Sequence, residues 1–339
     1  MPAILLCAVD FSNLEVMKKP INNRLQRGFT LIELMVAMAI AVIIMGMLIG
    51  ITNVAMGAWQ RSRAEVRASR QAKALLDLMA KDLECLVVRS GNVNEWLYAK
   101  TETVMPGPAT DRSTNAAEFI FFSAASDRYK GGAGTAADLG GDVCTVSYKL
   151  AYQDPLEGAD NPESTFVFYR QLMDPKPTFD SMLGKPDIKV AFDATAGKNK
   201  FETRLTAGVN NATSKYDFVC ENVYQYSITL RVDVTATVGA VTTVKPVRVT
   251  LGNDASANVF RLYGDKIDTD GTVGGGAMTV SNAELKTGKV TAVEISLTVL
   301  SDFGINQLKS RRFSSPADKA KFLAQHSYEF SKTVDVPGL

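Results

Sequence analysis

The hydrophobic pattern of this chain passes through three regimes. Residues 29–51 (FTLIELMVAMAIAVIIMGMLIGI) form a run of 23 whose one charge is Glu33. As an α-helix the run would be about 35 Å long, enough to cross a hydrocarbon core of roughly 30 Å. From Trp59 a narrower stripe takes over: Trp59, Ser62, Val66, Ser69, Ala72, Leu76, Met79, Leu83 and Leu86 recur at spacings of three and four, which predicts one face of a continuing helix. Arg67, Arg70, Lys73, Asp77, Lys81 and Glu84 fall on its other faces, with Lys73 and Asp77 spaced for a helical ion pair. No proline stands between Pro20 and Pro106. A single helix of roughly 60 residues, apolar all round at first and amphipathic later, is therefore expected, stopping at Gly91 and Asn92.

Beyond residue 91 the period drops to two. β-like runs occupy 117–123, 143–152, 165–172, 223–234, 244–251, 259–263 and 290–300, divided by turn residues. Val293, Ile295, Leu297 and Val299 alternate with Glu294, Ser296 and Thr298, as in a sheet with one covered face. A short helix over 317–325 and a strand over 328–334 close the pattern. Residues 131–141, 174–186 and 265–276 read as loops by composition. The expected fold class is α+β: a long N-terminal helix packed on an antiparallel β-rich head.

Charge and composition exclude several classes. Lys+Arg 37 against Asp+Glu 36 and a mean hydropathy of +0.01 give no excess basic charge to displace counterions from phosphates, so no nucleic-acid partner is expected. The one histidine, His326, argues against chemistry that needs a His base or a His-rich metal site. No Ser-His-Asp, Cys-His or phosphate-loop spacing is present: Gly131-Gly132-Ala133-Gly134 lacks the Gly-Lys-Ser/Thr that would follow it. The chain is read as a non-enzyme with no cofactor.

Glu33 carries the functional signal. A carboxylate inside a lipid-exposed helix costs at least about 2.5 kcal/mol, so it needs a partner. Immediately upstream stands Arg27-Gly28-Phe29-Thr30-Leu31-Ile32-Glu33, preceded by Lys18, Lys19 and Arg24. This stretch resembles the processing site of type IV prepilins and type II secretion pseudopilins. The resemblance implies a leader over 1–28, cleavage between Gly28 and Phe29 by a prepilin peptidase, and N-methylation of Phe29. It implies a transmembrane helix over 29–51 and an amphipathic stalk over 52–90. A globular head over 91–339 would lie in the periplasm or outside the cell, anchored by one pass through the inner membrane. Glu33 would neutralise the new amine of a neighbouring subunit, so two costly charges cancel on assembly. The first sixteen residues carry two acids and no base, unlike the basic segment after them, which favours Met17 as the start.

The 311 residues left after removing 28 of 339 fit a minor subunit better than a major pilin. Residues 71–89 and 290–301 look like parts of the J-type minor pseudopilins, and the chain is also similar to prepilin-like families of Verrucomicrobia cassettes. The expected partners are the prepilin peptidase, other pilins or pseudopilins, and the membrane. A minor type IV pilin for adhesion or uptake, and a membrane-tethered ligand-binding module, are the alternative readings. An extracytoplasmic head leaves Cys85, Cys144 and Cys220 in an oxidising place with three pairings open. Cys144 with Cys220 is favoured because both lie in or beside β-like runs; three buried thiols are the other option. Asp268-Thr269-Asp270-Gly271 invites a calcium reading, since some pseudopilins bind calcium in late loops. Lys266 and Ala277 at the first and last ligand positions spoil the EF-hand pattern, so Asp268 and Asp270 are weak candidates.

Overall fold

The computed structural model describes residues 29–89, 91–108, 111–124, 141–155, 162–195, 218–238, 241–252, 258–270, 280 and 282–336. The leader, with Gly28 and Met17, and the loop at 131–140 lie outside the described residues. The chain divides into two compact units, Met1–Trp59 and Gln60–Leu339. One helix, α1 (Leu31–Glu84), runs through the boundary. In the first unit it carries the apolar run with every described side chain exposed except the half-buried Gly57. It is long and apolar enough to cross a membrane.

In the second unit α1 becomes amphipathic. Ala68, Ala72, Leu75, Leu76, Met79, Ala80 and Leu83 are buried in the core of the head. The predicted stripe holds from Ala72 onward, whereas Trp59, Ser62, Val66 and Ser69 are exposed. Burial begins only at Ala68, where sheet is available to cover the helix. The helix also stops at Glu84, ahead of the predicted glycine stop. The backbone of Cys85–Val87 is captured instead: Val87 N–H donates to Phe122 O (2.9 Å) and Ala124 N–H to Cys85 O (2.7 Å). Asp77 pairs with Lys332 at 2.7 Å rather than standing in the predicted pair with Lys73.

The head holds two antiparallel sheets. Strands β1 (Glu95–Thr101), β2 (Ala117–Ala124), β3 (Val143–Gln153), β4 (Thr165–Met173), β5 (Phe218–Glu221), β8 (Val259–Tyr263) and β9 (Lys266–Thr269) form the larger sheet in the order β5-β4-β3-β2-β1-β8-β9. Strands β6 (Val223–Val238), β7 (Val241–Leu251), β10 (Lys289–Leu300) and β11 (Ser327–Asp335) form the smaller, in the order β11-β10-β6-β7. Seven predicted strands and the final one are present. Strands β5 and β9, of four residues each, are too short for a period-two reading, and β1 holds Trp96, Leu97, Tyr98 and Ala99 in succession instead of alternating.

The larger sheet is covered on both faces. Phe119, Phe121, Tyr148 and Phe168 meet α1 and the smaller sheet, with Phe168 against Tyr226 and Phe166 against Tyr224 in edge contacts. Glu118, Ile120 and Phe122 point the other way, toward helices α2 (Pro175–Ser181) and α3 (Ile188–Thr195), where Lys189 reaches Glu118 at 2.8 Å. Double coverage is why 117–123 is nearly all apolar instead of alternating. Helix α2 replaces the loop predicted over 174–186. The smaller sheet does keep one covered face, with Val293, Ile295, Leu297 and Val299 buried.

The chain passes between sheets at Asn222, the single residue separating β5 from β6. Its φ of 68° lies in the left-handed region that asparagine tolerates better than most residues. Its side chain is held on both sides: Thr165 Oγ1 donates to Oδ1 (2.9 Å), and Nδ2 donates to Asp302 Oδ1 (2.7 Å). Asp302 opens α5 (Asp302–Ser310), which with α6 (Pro316–His326) follows β10; a one-turn helix, α4 (Asn282–Leu285), precedes it. Arg67 of α1 donates to Asp302 at 2.6 Å and to Glu221 at 2.5 Å, tying the helix to this corner.

The deepest link between α1 and the sheet is ionic. Asp82 sits inside the apolar stripe and accepts from Arg170 Nε on Oδ2 (2.7 Å) and from Nη2 on Oδ1 (2.6 Å), while Tyr148 donates its hydroxyl to Oδ2. Burial, reinforced by Asp82, pushes the Tyr148 hydroxyl well above its ordinary pKa, so it remains a donor. Removing one partner of such a pair costs about 3–5 kcal/mol, whereas replacing the whole set by apolar groups is often neutral. Asp82→Asn should therefore lower the urea midpoint in detergent by an amount worth about 3 kcal/mol. The triple change Asp82→Leu, Arg170→Met, Tyr148→Phe should recover most of that loss. Equal stability of Asp82→Asn and the parent chain would show that the pair does not hold the helix.

Candidate functional site

The residues singled out by sequence lie at the beginning of α1. Thr30 is the cap: its Oγ1 accepts from Glu33 N–H (3.3 Å), and Glu33 Oε2 accepts from Thr30 N–H and Thr30 Oγ1–H, both at 2.9 Å. This reciprocal arrangement of a threonine and a glutamate three residues on satisfies two amides that a helix start leaves unpaired. It also leaves the carboxylate on the helix surface, beside a shallow groove lined by Ile32, Val36, Ala37 and Ile40. Phe29 precedes the helix with 89% of its surface exposed. The segment therefore offers an exposed Phe29, a capped first turn and one acid on an otherwise apolar surface.

The weaker predicted sites separate. Cys144 and Cys220 are not joined. Cys220 faces Phe168 on β4, while Thr145, next to Cys144, faces Met173. Five residue steps along a strand are about 16 Å, far beyond the roughly 7 Å between α-carbons that a disulfide spans. Cys85 is exposed just beyond α1. Asp270 is occupied as a backbone acceptor, with Asn258 N–H at 2.9 Å and Val259 N–H at 2.8 Å on Oδ1. Asp268 lies opposite Arg261 in the β8–β9 pair. Among the described residues no group of three or more His, Cys, Asp or Glu side chains gathers as a metal site.

Comparison with known families agrees with the geometry. Residues 23–49 match the family model of the prokaryotic N-terminal methylation motif. The match covers Arg24 and Arg27, the Gly28–Phe29 junction, Glu33 and most of the apolar run. In this segment the chain is similar to type IV pilin-like proteins, and the same segment runs into one helix long and apolar enough to cross a membrane. No curated protein and no solved structure matches this chain.

Sequence reading missed the buried charges of the head. Asp82 and Arg170 were visible as charges at inward positions, Asp82 three residues after Met79 and Arg170 two after Phe168, but nothing in sequence joins them. Glu95 is the other case. It is fully buried on β1, where Oε2 accepts from Ile188 N–H at the start of α3 (2.5 Å). Its Oε1 makes no hydrogen bond, Arg261 Nε being 3.8 Å away. Burial pushes its pKa up from 4.5 to about 7, against the Ile188 amide and Arg261, which lower it.

The sign follows from proton binding. Between pH 4.5 and about 7 the folded chain holds this proton more tightly than the unfolded chain, so stability is full at the acid end and falls as pH rises. The loss should reach up to about 3 kcal/mol above the folded value. Urea titrations of the parent and Glu95→Gln across that window should show a falling midpoint in the first and a flatter line in the second. Parallel curves would exclude Glu95 as the source.

Proposed function

We propose that this chain is a minor pseudopilin or pilin subunit. In this reading it is cleaved after Gly28, methylated on Phe29, held in the inner membrane by residues 29–51, and drawn into a periplasmic filament. The observation that carries the reading is the conjunction at the start of α1. A methylation motif abuts a helix whose first 29 residues, Leu31–Trp59, bury no side chain in the chain itself. An apolar surface of that length must be covered by lipid or by other helices. A subunit that moves from one cover to the other uses both.

Glu33 then acts as the registration charge. In the single chain its carboxylate accepts two hydrogen bonds from Thr30, which carries no charge to neutralise it. A methylated ammonium on a neighbouring subunit would supply that charge. Assembly would exchange a polar partner for an ionic one. The head, with residues 60–84 of α1 fixed by Asp82 and Arg67, would be displayed on the periplasmic side. The minor-subunit assignment rests on the size of the head and on the resemblance of 71–89 and 290–301 to J-type subunits. Type II secretion is the favoured context, and the motif supports a structural subunit rather than an enzyme.

Two substitutions test the reading in a host with its own peptidase. Gly28→Ala should leave the precursor uncut, read as intact mass; a mature N-terminus at Phe29 would refute the processing site. Glu33→Val should leave cleavage intact but abolish site-specific cross-links to partner subunits. Unchanged cross-linking would remove Glu33 from assembly.

A further inference from the structure

The outward face of the smaller sheet carries a trough whose polar groups are left unused. The alternation that buries Val293, Ile295, Leu297 and Val299 turns Glu294, Ser296 and Thr298 the other way. Strand register then lines up one serine from each of three neighbouring strands. Ser296 of β10 stands opposite Ser227 of β6 on one side and Ser331 of β11 on the other. Adjacent strands are about 4.8 Å apart, so the row spans roughly 10 Å. Longer side chains wall it in: Glu329, Thr298 and Gln225 form the next row in one direction, and Glu294 stands in the other. The cavity between them measures about 420 Å³, within the range of small-ligand sites.

Hydroxyl pairs on a sheet help it by bonding across strands, as Thr229 and Thr250 do at 3.0 Å on the same face. The serine row gives the sheet no such bond. Among the described residues none of its three hydroxyls has a hydrogen-bond partner, and neither has the Glu329 carboxylate. Gln225 takes a long bond from Thr298 on Oε1 (3.4 Å) and keeps its NH2 group to donate. Glu294 is held in place by Arg248 at 2.5 Å and Arg231 at 3.5 Å, both on Oε2, which leaves Oε1 an open acceptor. The two arginines offset Glu294 and Glu329, so these four charges sum to zero.

A serine hydroxyl donates one hydrogen bond and accepts two, an amide does both, and a carboxylate only accepts. A ligand that matches this lining must donate and accept repeatedly over roughly 10 Å and carry no net charge. An anionic chain would meet Glu329 and Glu294 with like charge. A metal ion finds no group of three ligands among the described residues. Hydroxyl groups in series on an uncharged chain are the chemistry of a saccharide. From the row of unbonded serines along this trough, we infer that the head binds a neutral oligosaccharide across β6, β10 and β11. The inference concerns the second unit alone and goes beyond the subunit reading, which gives the head no ligand.

Equilibrium dialysis tests this on the full chain, held in a detergent without a sugar headgroup. The probes are labelled maltohexaose, cellohexaose and chitohexaose, with hexagalacturonate as the charged counterpart. At least one neutral chain should be retained, and hexagalacturonate should bind at least about tenfold more weakly than it. Ser227→Ala with Ser331→Ala should weaken the neutral chain by roughly tenfold, the loss of two hydrogen bonds. The urea midpoint of that variant should not move, because neither hydroxyl holds the fold. Ser296→Gln, which fills the centre of the trough, should abolish retention. Retention of none of the three neutral chains, or equal affinity in the double alanine variant, would overturn the site. Equal affinity for hexagalacturonate would overturn its preference for uncharged chains. Cleavage at Gly28 and cross-linking through Glu33 are read separately, so failure of the trough and failure of the subunit reading are distinguishable.

Discussion

Asp82 is the constraint on which the rest of the head depends. A carboxylate on the buried side of a helix tolerates few placements, because an uncompensated charge there costs several kcal/mol. The bidentate Arg170 and the Tyr148 hydroxyl fix both the rotation of α1 and its position along β3 and β4. Leu75, Met79 and Leu83 could slide by a turn against Phe119, Phe121 and Phe168 at modest cost, since apolar packing is not directional. The ion pair cannot slide. Apolar burial supplies the adhesion, and Asp82 supplies the register.

The same helix treats two of its five acids in opposite ways. Glu33 lies at an exposed helix start and is satisfied by Thr30, one turn away, with no help from the head. Asp82 is satisfied only by residues 66 and 88 positions distant. One is a local solution that forms as soon as the helix does, and so can be exchanged. The other forms only when the sheet is complete. That difference suits the proposed subunit, whose apolar half would change surroundings while its head stays folded.

The head is built in layers that serve this anchoring. The larger sheet is covered on both faces, by α1 with the smaller sheet and by α2 with α3, so its central strands are the least accessible part of the molecule. The corner at Asn222 joins the two sheets, and Asp302 connects that corner to Arg67 on α1. Helices α5 and α6 follow from the same corner.

Much of this was legible in the amino-acid order. The apolar run, the amphipathic continuation and eight of the strands follow from composition and period, because each is a local regularity that neighbouring residues impose on one another. The helix end, the doubly covered sheet and the separation of Cys144 from Cys220 were not legible. Strand pairing at Cys85–Val87 overrode the glycine stop, and cross-strand register decided which thiols are near. The partnership of Asp82 with Arg170, and of Arg67 with Asp302, likewise belongs to tertiary structure alone. Sequence determined which segment must leave water and where its charge stands. Only the fold decided which distant charges meet, because nothing along the chain encodes a distance between residues that share neither a turn nor a strand.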